Sequence, residues 1–129
     1  MKVSTSELAG AALDWAVAKC EGVRTVLARY EHTMTGVCVL DAELVEMGTD
    51  GPQELRYSRD WARGGPIIER EGISTEFDKA GYKDSWVAYK LGVPYEDNPE
   101  SGPTPLIAAM RCYVASKLGD EVDIPEELT

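Results

Sequence analysis

The chain has 129 residues, 43% of them hydrophobic and 28% charged, which fits one soluble globular domain able to bury a core without disulfides or metal. Its 13 lysines and arginines against 23 acids leave a formal charge of −10, which repels nucleic acid over most of the surface and excludes general DNA or RNA binding. No run approaches the roughly 18 apolar residues of a membrane helix and the N-terminus lacks a signal-peptide core, so no membrane partner and a cytoplasmic location are expected.

In chain order, Lys2–Ser4 reads as a short strand, and Ser4-x-x-Glu7 as a capping box opening a helix over about Glu7–Cys20. Ala9, Leu13, Ala16, Val17 and Cys20 recur at helical spacing, with Leu8, Ala12 and Trp15 alongside, and Gly22 ends the helix. The β-rich runs Val23–Tyr30 and Gly36–Leu40 predict a hairpin turning near His32–Gly36. Leu44–Met47 is expected to extend that sheet before a loop over Gly48–Pro52. Ile73–Phe77 and Ser85–Lys90 read as neighbouring strands with a turn near Lys79–Gly81. Gly92–Pro103, punctuated by Pro94, Pro99 and Pro103, reads as a polar loop that serves as a lid or a spacer.

Thr104 and Pro105 place an N-cap residue and a proline at the first helical position, starting a last helix, Pro105–Leu118, stopped by Gly119. Leu106, Ala109, Met110, Tyr113, Val114 and Leu118 give it an apolar face to lay across the sheet. Arg111 is expected at the surface, and Asp120–Glu127 as an acidic tail, paired with bases or solvated. The expected fold is a single α+β domain over 1–129. Its N- and C-terminal helices pack on a small antiparallel sheet, with a short central helix besides.

The chemistry concentrates in Asp60–Ile73. Gly64-Gly65-Pro66 reads as a loop turning into a short helix that Gly72 stops, with Pro66 at its first position. Free N–H groups at such a start, beside two glycines, form an anion pocket. Trp61 is suited to stack on a base, and Arg63 or Arg70 to hold a phosphate or carboxylate by a fork. Asp60 and Thr104, the latter at the second proline-led helix start, complete the candidate ligand-binding set. The same residues also read as a core tryptophan and a chain reversal, in which case Trp61→Ala and Arg63→Ala would unfold the protein instead of only abolishing ligand retention.

Cys20, Cys38 and Cys112 are odd in number and have no metal-like spacing, so they read as reduced thiols, Cys20 and Cys112 in the core. His32 is the only histidine, which supplies neither an ordinary zinc site nor a histidine-activated nucleophile. No catalytic residue, metal or cofactor is expected. An enzyme using Asp60, Glu69 or Glu71 with Arg63 ranks last, because Glu69 and Glu71 are two apart on a helix and do not share a face.

Three blocks carry a family resemblance: Thr5–Lys19, Tyr57–Glu71 and Gly102–Arg111. With Cys112–Leu128 they resemble the NinX family of small bacteriophage proteins over more than half the chain, in family order, and residues 23–56 stand apart. More faintly, the chain is similar to phage domains layered as helix, sheet and helix. The resemblance implies an accessory protein of a lambda-like phage, acting in the cytoplasm of the bacterial host. Accessory genes of this size often counter host defence, which frames the expected function as a non-enzymatic binding protein sequestering a small nucleotide-derived signalling molecule. The alternative is an acidic inhibitor of a host protein, such as a nucleic-acid-binding or a defence protein. Homo-oligomers are compatible with either.

Overall fold

Backbone pairing sorts the strands of the computed structural model, which describes residues 1–29, 36–48, 54–79, 86–90 and 99–129, into three small antiparallel sheets. β1 (Lys2–Ser4) pairs with β7 (Glu121–Asp123), β2 (Thr25–Arg29) with β3 (Val37–Asp41), and β4 (Ile73–Phe77) with β5 (Trp86–Lys90), which also takes β6 (Glu100–Gly102). The helices are α1 (Gly10–Glu21), α2 (Ala42–Met47), α3 (Trp61–Glu71) and α4 (Pro105–Leu118). The class is the expected α+β, with the strands divided among three sheets instead of one.

α4 is the hub. It touches α1, α3 and all of β4, β5 and β6, so Ala108, Ala109, Met110, Cys112, Tyr113 and Val114 are all buried. A helix apolar on nearly every side is one surrounded by protein. Leu8, Leu13, Val17, Leu55 and Ile67 join it in one cluster of buried side chains. Cys112 lies in that core as expected, whereas Cys20 is only partly buried at its edge. None of these helices is long and apolar enough to cross a membrane, among the described residues.

Several local expectations are overturned, each by a competing contact. The first helix starts at Gly10, because Ala9 is extended and Gly10 takes φ 55°, a left-handed entry that a continuous helix from Glu7 forbids. Thr5–Glu7 is instead a single 3₁₀ turn, with buried Thr5 donating its hydroxyl to the Gly119 carbonyl at 2.6 Å. Leu44–Met47 does not extend the sheet. Asp41, the last residue of β3, accepts hydrogen bonds from the Glu43 and Leu44 amides at 2.9 and 3.4 Å and so caps α2.

Glu100–Gly102, expected inside a loop, is a strand held against α4, where a Cβ on Gly102 would stand 2.8 Å from the Ala108 nitrogen. Within residues 120–127, Glu121–Asp123 form a strand, while the acids Asp120, Glu121, Asp123, Glu126 and Glu127 stay exposed as expected. Val122 faces Val3 across the β1–β7 pair, and the Met1 ammonium meets Asp123 at 2.7 Å. Arg111 is buried, not superficial: Nε donates to the Leu8 carbonyl at 2.8 Å and Nη1 to that of Ser101 at 2.7 Å. The expected turns near His32 and at 79–81, the 48–52 loop and the lid or spacer at 92–103 fall wholly or mostly outside the described residues.

Candidate functional site

The site is built on the turn ahead of α3. The amides of Arg59 and Asp60 both donate to the Arg56 carbonyl, at 3.0 and 2.8 Å, and Asp60 then caps the helix by accepting from the Ala62 amide at 3.0 Å. α3 therefore begins at Trp61, five residues before Pro66, and Gly64, Gly65 and Pro66 lie inside it. The Arg63 and Gly64 amides already donate to the Asp60 carbonyl, at 3.0 and 2.9 Å, so the expected anion pocket at the glycine pair does not form there. Proline misleads at this position because the signal for a helix start is also tolerated within one when the orphaned carbonyl, here that of exposed Ala62, is open to water. Gly64 serves packing instead: a Cβ there would stand 2.5 Å from both Leu106 Cδ1 and the Tyr57 carbonyl oxygen.

Beneath the turn lies Asp14, wholly buried on α1. Its carboxylate accepts from the Ser58 amide at 2.8 Å and from Arg59 Nη2 at 3.1 Å, and the same Nη2 reaches Glu54 at 3.0 Å. Burial pushes the Asp14 carboxyl above the ordinary range, while Ser58 and Arg59 oppose that shift. A charged anchor thus fixes the turn that carries Trp61.

Where the starts of α3 and α4 meet, a cleft of about 260 Å³ opens, lined by Ser58, Arg59, Trp61, Thr104, Leu106 and Ile107. Trp61 is 55% exposed, which excludes a core role for it. Ser58 is 2% exposed, and its hydroxyl makes no hydrogen bond of regular geometry among the described residues, although it stands near enough to Asp14 to favour the charged carboxylate. Thr104 Oγ1 accepts from the Ile107 amide at 3.1 Å, so its own proton remains to be donated. The Leu106 amide, second in α4, has no intrahelical acceptor by position. Arg59 spends Nη2 on carboxylates, leaving Nε and Nη1 without a hydrogen bond among the described residues. Residues 56–63 carry three arginines against one aspartate, but Asp14 and Glu54 pair with Arg59, so the charges around the turn balance at 3 − 3 = 0 in a chain of −10.

Of the residues expected at a ligand site, Trp61 and Thr104 line this cleft and Asp60 caps the helix that presents Trp61. Arg63 is half-buried two residues on, outside the lining. Gly64 is packed away, and Gly65 and Pro66 are mid-helix. Arg70 lies at the far end of α3, closed into a clasp. Its Nη1 and Nη2 form a fork to Glu21 at 3.1 and 2.6 Å, Nε reaches Glu71 at 3.0 Å, and Tyr113 donates its hydroxyl to Glu21 at 2.6 Å. Arg70 holds Glu21 and Glu71 below the usual carboxylate range, and burial raises Tyr113 well above the usual phenol value. With Arg70 half exposed, the clasp is a modest staple between helices. Arg70→Met is expected to lower stability by about 0.5–1 kcal/mol in thermal unfolding, an effect that shrinks in high salt, and to leave ligand content unchanged.

Ser58, Arg59, Leu106 and Ile107 were not legible as site residues, since only the meeting of α3 with α4 brings them to Trp61. Asp14 did leave a signal: it is the only charged residue between Leu8 and Ala18, set in an otherwise apolar and small-residue helix. A family model described as Bacteriophage P22, NinX matches residues 4–117, and so spans the turn, both helix starts and the cleft between them. No curated protein matches the chain.

Proposed function

The chain belongs to the NinX family of bacteriophage proteins, and from that premise we propose that it is a non-enzymatic accessory protein that sequesters a small nucleotide-derived signalling molecule of the host. The observation that carries this reading is the exposed Trp61 ring beside the unspent Arg59 nitrogens and the amide-led start of α4. A flat aromatic face stacks a base, a guanidinium and the Leu106 amide attract an anionic group, and none of them is an acid, base or nucleophile poised for turnover. Sequestration in the bacterial cytoplasm, as a counter to host defence, is the role that a binding protein without catalysis would serve.

The reading predicts what the protein carries out of its host. Protein purified from cells with active nucleotide signalling, then heat-denatured, is expected to release a near-stoichiometric nucleotide-like species detectable by mass spectrometry. Trp61→Ala is expected to weaken its retention about 10–100-fold, in line with a stacking contribution of about 1–3 kcal/mol, with little change in folding because the ring is exposed. An empty fraction from folded wild-type protein would instead favour an acidic inhibitor of a host protein. That reading draws on the charge of −10, with exposed Trp61 as an anchor, and its complex would weaken steeply with salt.

A further inference from the structure

We infer that a second copy of this chain docks on the face formed by Trp61, Ile107, Trp86 and Phe77, making a two-fold dimer that roofs the Trp61 cleft. The dimer stands on that surface alone, and its part in holding a ligand rests on the sequestration reading.

One end of the β4–β5–β6 sheet carries the row Phe77, Trp86 and Gly102, each opposite the next. Phe77 is 52% exposed and meets the half-buried Trp86 ring edge-on at 5.4 Å. Gly102 leads from this row to α4, since a Cβ there would stand 3.0 Å from Ile107 Cγ2. Ile107 is itself half-buried and lines the cleft with Trp61. The two exposed aromatics are thus joined, through Trp86 and Ile107, into one stripe across the start of α4. Such a stripe marks a surface that another protein covers, and tryptophan and phenylalanine are enriched where contacts bury most completely.

Charge decides which protein. Two copies of a chain of −10 repel, so they meet most readily where each face is close to neutral. Around the Trp61 turn Arg56, Arg59 and Arg63 balance Asp60, Asp14 and Glu54. Beside Phe77, Lys79 stands against Glu76 and Asp78, leaving one acid in excess across the two clusters. Both signs lie side by side, as a two-fold contact requires of a surface that complements itself. The other exposed apolar group, Val26, Val45 and Met47 on β2 and α2, is less suited. Every charge in residues 41–47 is acidic, and Arg24 offsets one of the three through its fork to Glu46. A basic partner would instead be drawn to the exposed acids of 120–127.

Docking on the stripe also completes the cleft. Sites that retain a small molecule bury roughly 70–90% of its surface, whereas this cleft of about 260 Å³ leaves the Trp61 ring half in solvent. A second copy laid over Trp61 and Ile107 supplies a further wall.

The test is the mass in solution, by light scattering after size exclusion, from micromolar to hundred-micromolar protein. Wild type is expected to approach twice the chain mass of 14.1 kDa, and added salt should not dissociate it. Phe77→Asp and Trp61→Asp, both at exposed positions, should stay folded by circular dichroism and weaken the dimer at least about 30-fold, the loss of one central contact. Met47→Asp should leave it intact. In wild type itself, dilution should shift the Trp61 and Trp86 indole resonances and leave that of Trp15 in place. A monomeric wild type at every concentration would overturn the inference, and if that monomer still releases a nucleotide-like species, sequestration stands without it. A dimer that survives both aromatic substitutions, or that Met47→Asp dissolves, would put the interface elsewhere and overturn the inference too. A dimer of the expected sensitivity that releases nothing on heating would support the inference while sequestration fails.

Discussion

Gly64→Ala is expected to destabilise the protein while Gly65→Ala, one residue further, stabilises it. Both glycines lie within α3, where alanine is favoured over glycine by about 1 kcal/mol from backbone entropy alone. At Gly65 nothing lies within 4 Å of an added Cβ, so that gain of about 0.5–1 kcal/mol should appear whole. At Gly64 the methyl would stand 2.5 Å from Leu106 Cδ1, which can swing aside, and 2.5 Å from the Tyr57 carbonyl oxygen, which is backbone and cannot. Forced repacking of this kind costs typically 1–3 kcal/mol and the fixed carbonyl puts it toward the upper end, so a net loss of about 2 kcal/mol remains after the helix gain. For a chain of this size that is a melting-temperature drop of about 8 °C, against a rise of a few degrees for Gly65→Ala. Equal behaviour of the two variants in a thermal melt would mean that α3 need not approach the Tyr57 turn and α4 this closely. The cleft, which depends on that approach, would then lose its geometric basis.

Asp14→Ala should cost more, about 3 kcal/mol, by stranding partners in the interior. The Ser58 amide would lose its acceptor in a buried setting, which costs about 1–3 kcal/mol, and the side chain would leave a hole beneath the turn. Arg59, 39% exposed and still beside Glu54, can turn to water, so the full 3–5 kcal/mol of a broken buried pair is not reached. Asp14→Asn keeps the shape and an acceptor and should lose less.

The pair of variants also carries a pH signature. Burial raises the folded-state pKa of Asp14, so the folded chain holds its proton more tightly than the unfolded chain does. Its contribution is then fully present below the unfolded value near 3.9 and is lost as pH rises through the raised folded value. Glu21 and Glu71, held low by Arg70, act in the opposite sense, contributing above the unfolded glutamate value and losing that contribution as pH falls. Asp14→Asn removes only the first effect. The stability of wild type relative to Asp14→Asn should therefore decline as pH rises above about 4. A relative stability that climbs over that range would mean that Arg59 and Ser58 outweigh desolvation at Asp14.

How far the sequence carries depends on whether a signal is local. The hairpin strands, α1 with Gly22 behind it, and α4 with Thr104 and Pro105 ahead of it were legible, because spacing, caps and breakers lie within a few residues of what they control. The three-residue strands β6 and β7 were not, since three residues show no periodicity and their partners come from elsewhere in the chain. Asp41 ends a strand and caps a helix at once, which a reading in terms of β-rich runs cannot separate. Arg111 reads as surface on polarity alone. What buries it are the carbonyls of Leu8, 103 positions away, and Ser101. At the candidate site the sequence pointed to Trp61 and Thr104 individually, and the structure brings both to one cleft. It pointed to Pro66 as a helix start, but the Asp60 side chain had already begun the helix.

The central claim is that ligand is held against Trp61, and the three tryptophans make it directly measurable. Trp15 is partly buried against the core, Trp86 sits on β5 against Phe77, and only Trp61 lines the cleft. In a ¹⁵N-resolved NMR spectrum each indole N–H gives its own resonance. Returning the heat-released fraction to refolded, ligand-free protein is predicted to shift the Trp61 indole resonance, saturating near one equivalent, while those of Trp15 and Trp86 stay in place. A titration that moves Trp86 or Trp15 and leaves Trp61 fixed would contradict the account and put the binding surface elsewhere on the molecule.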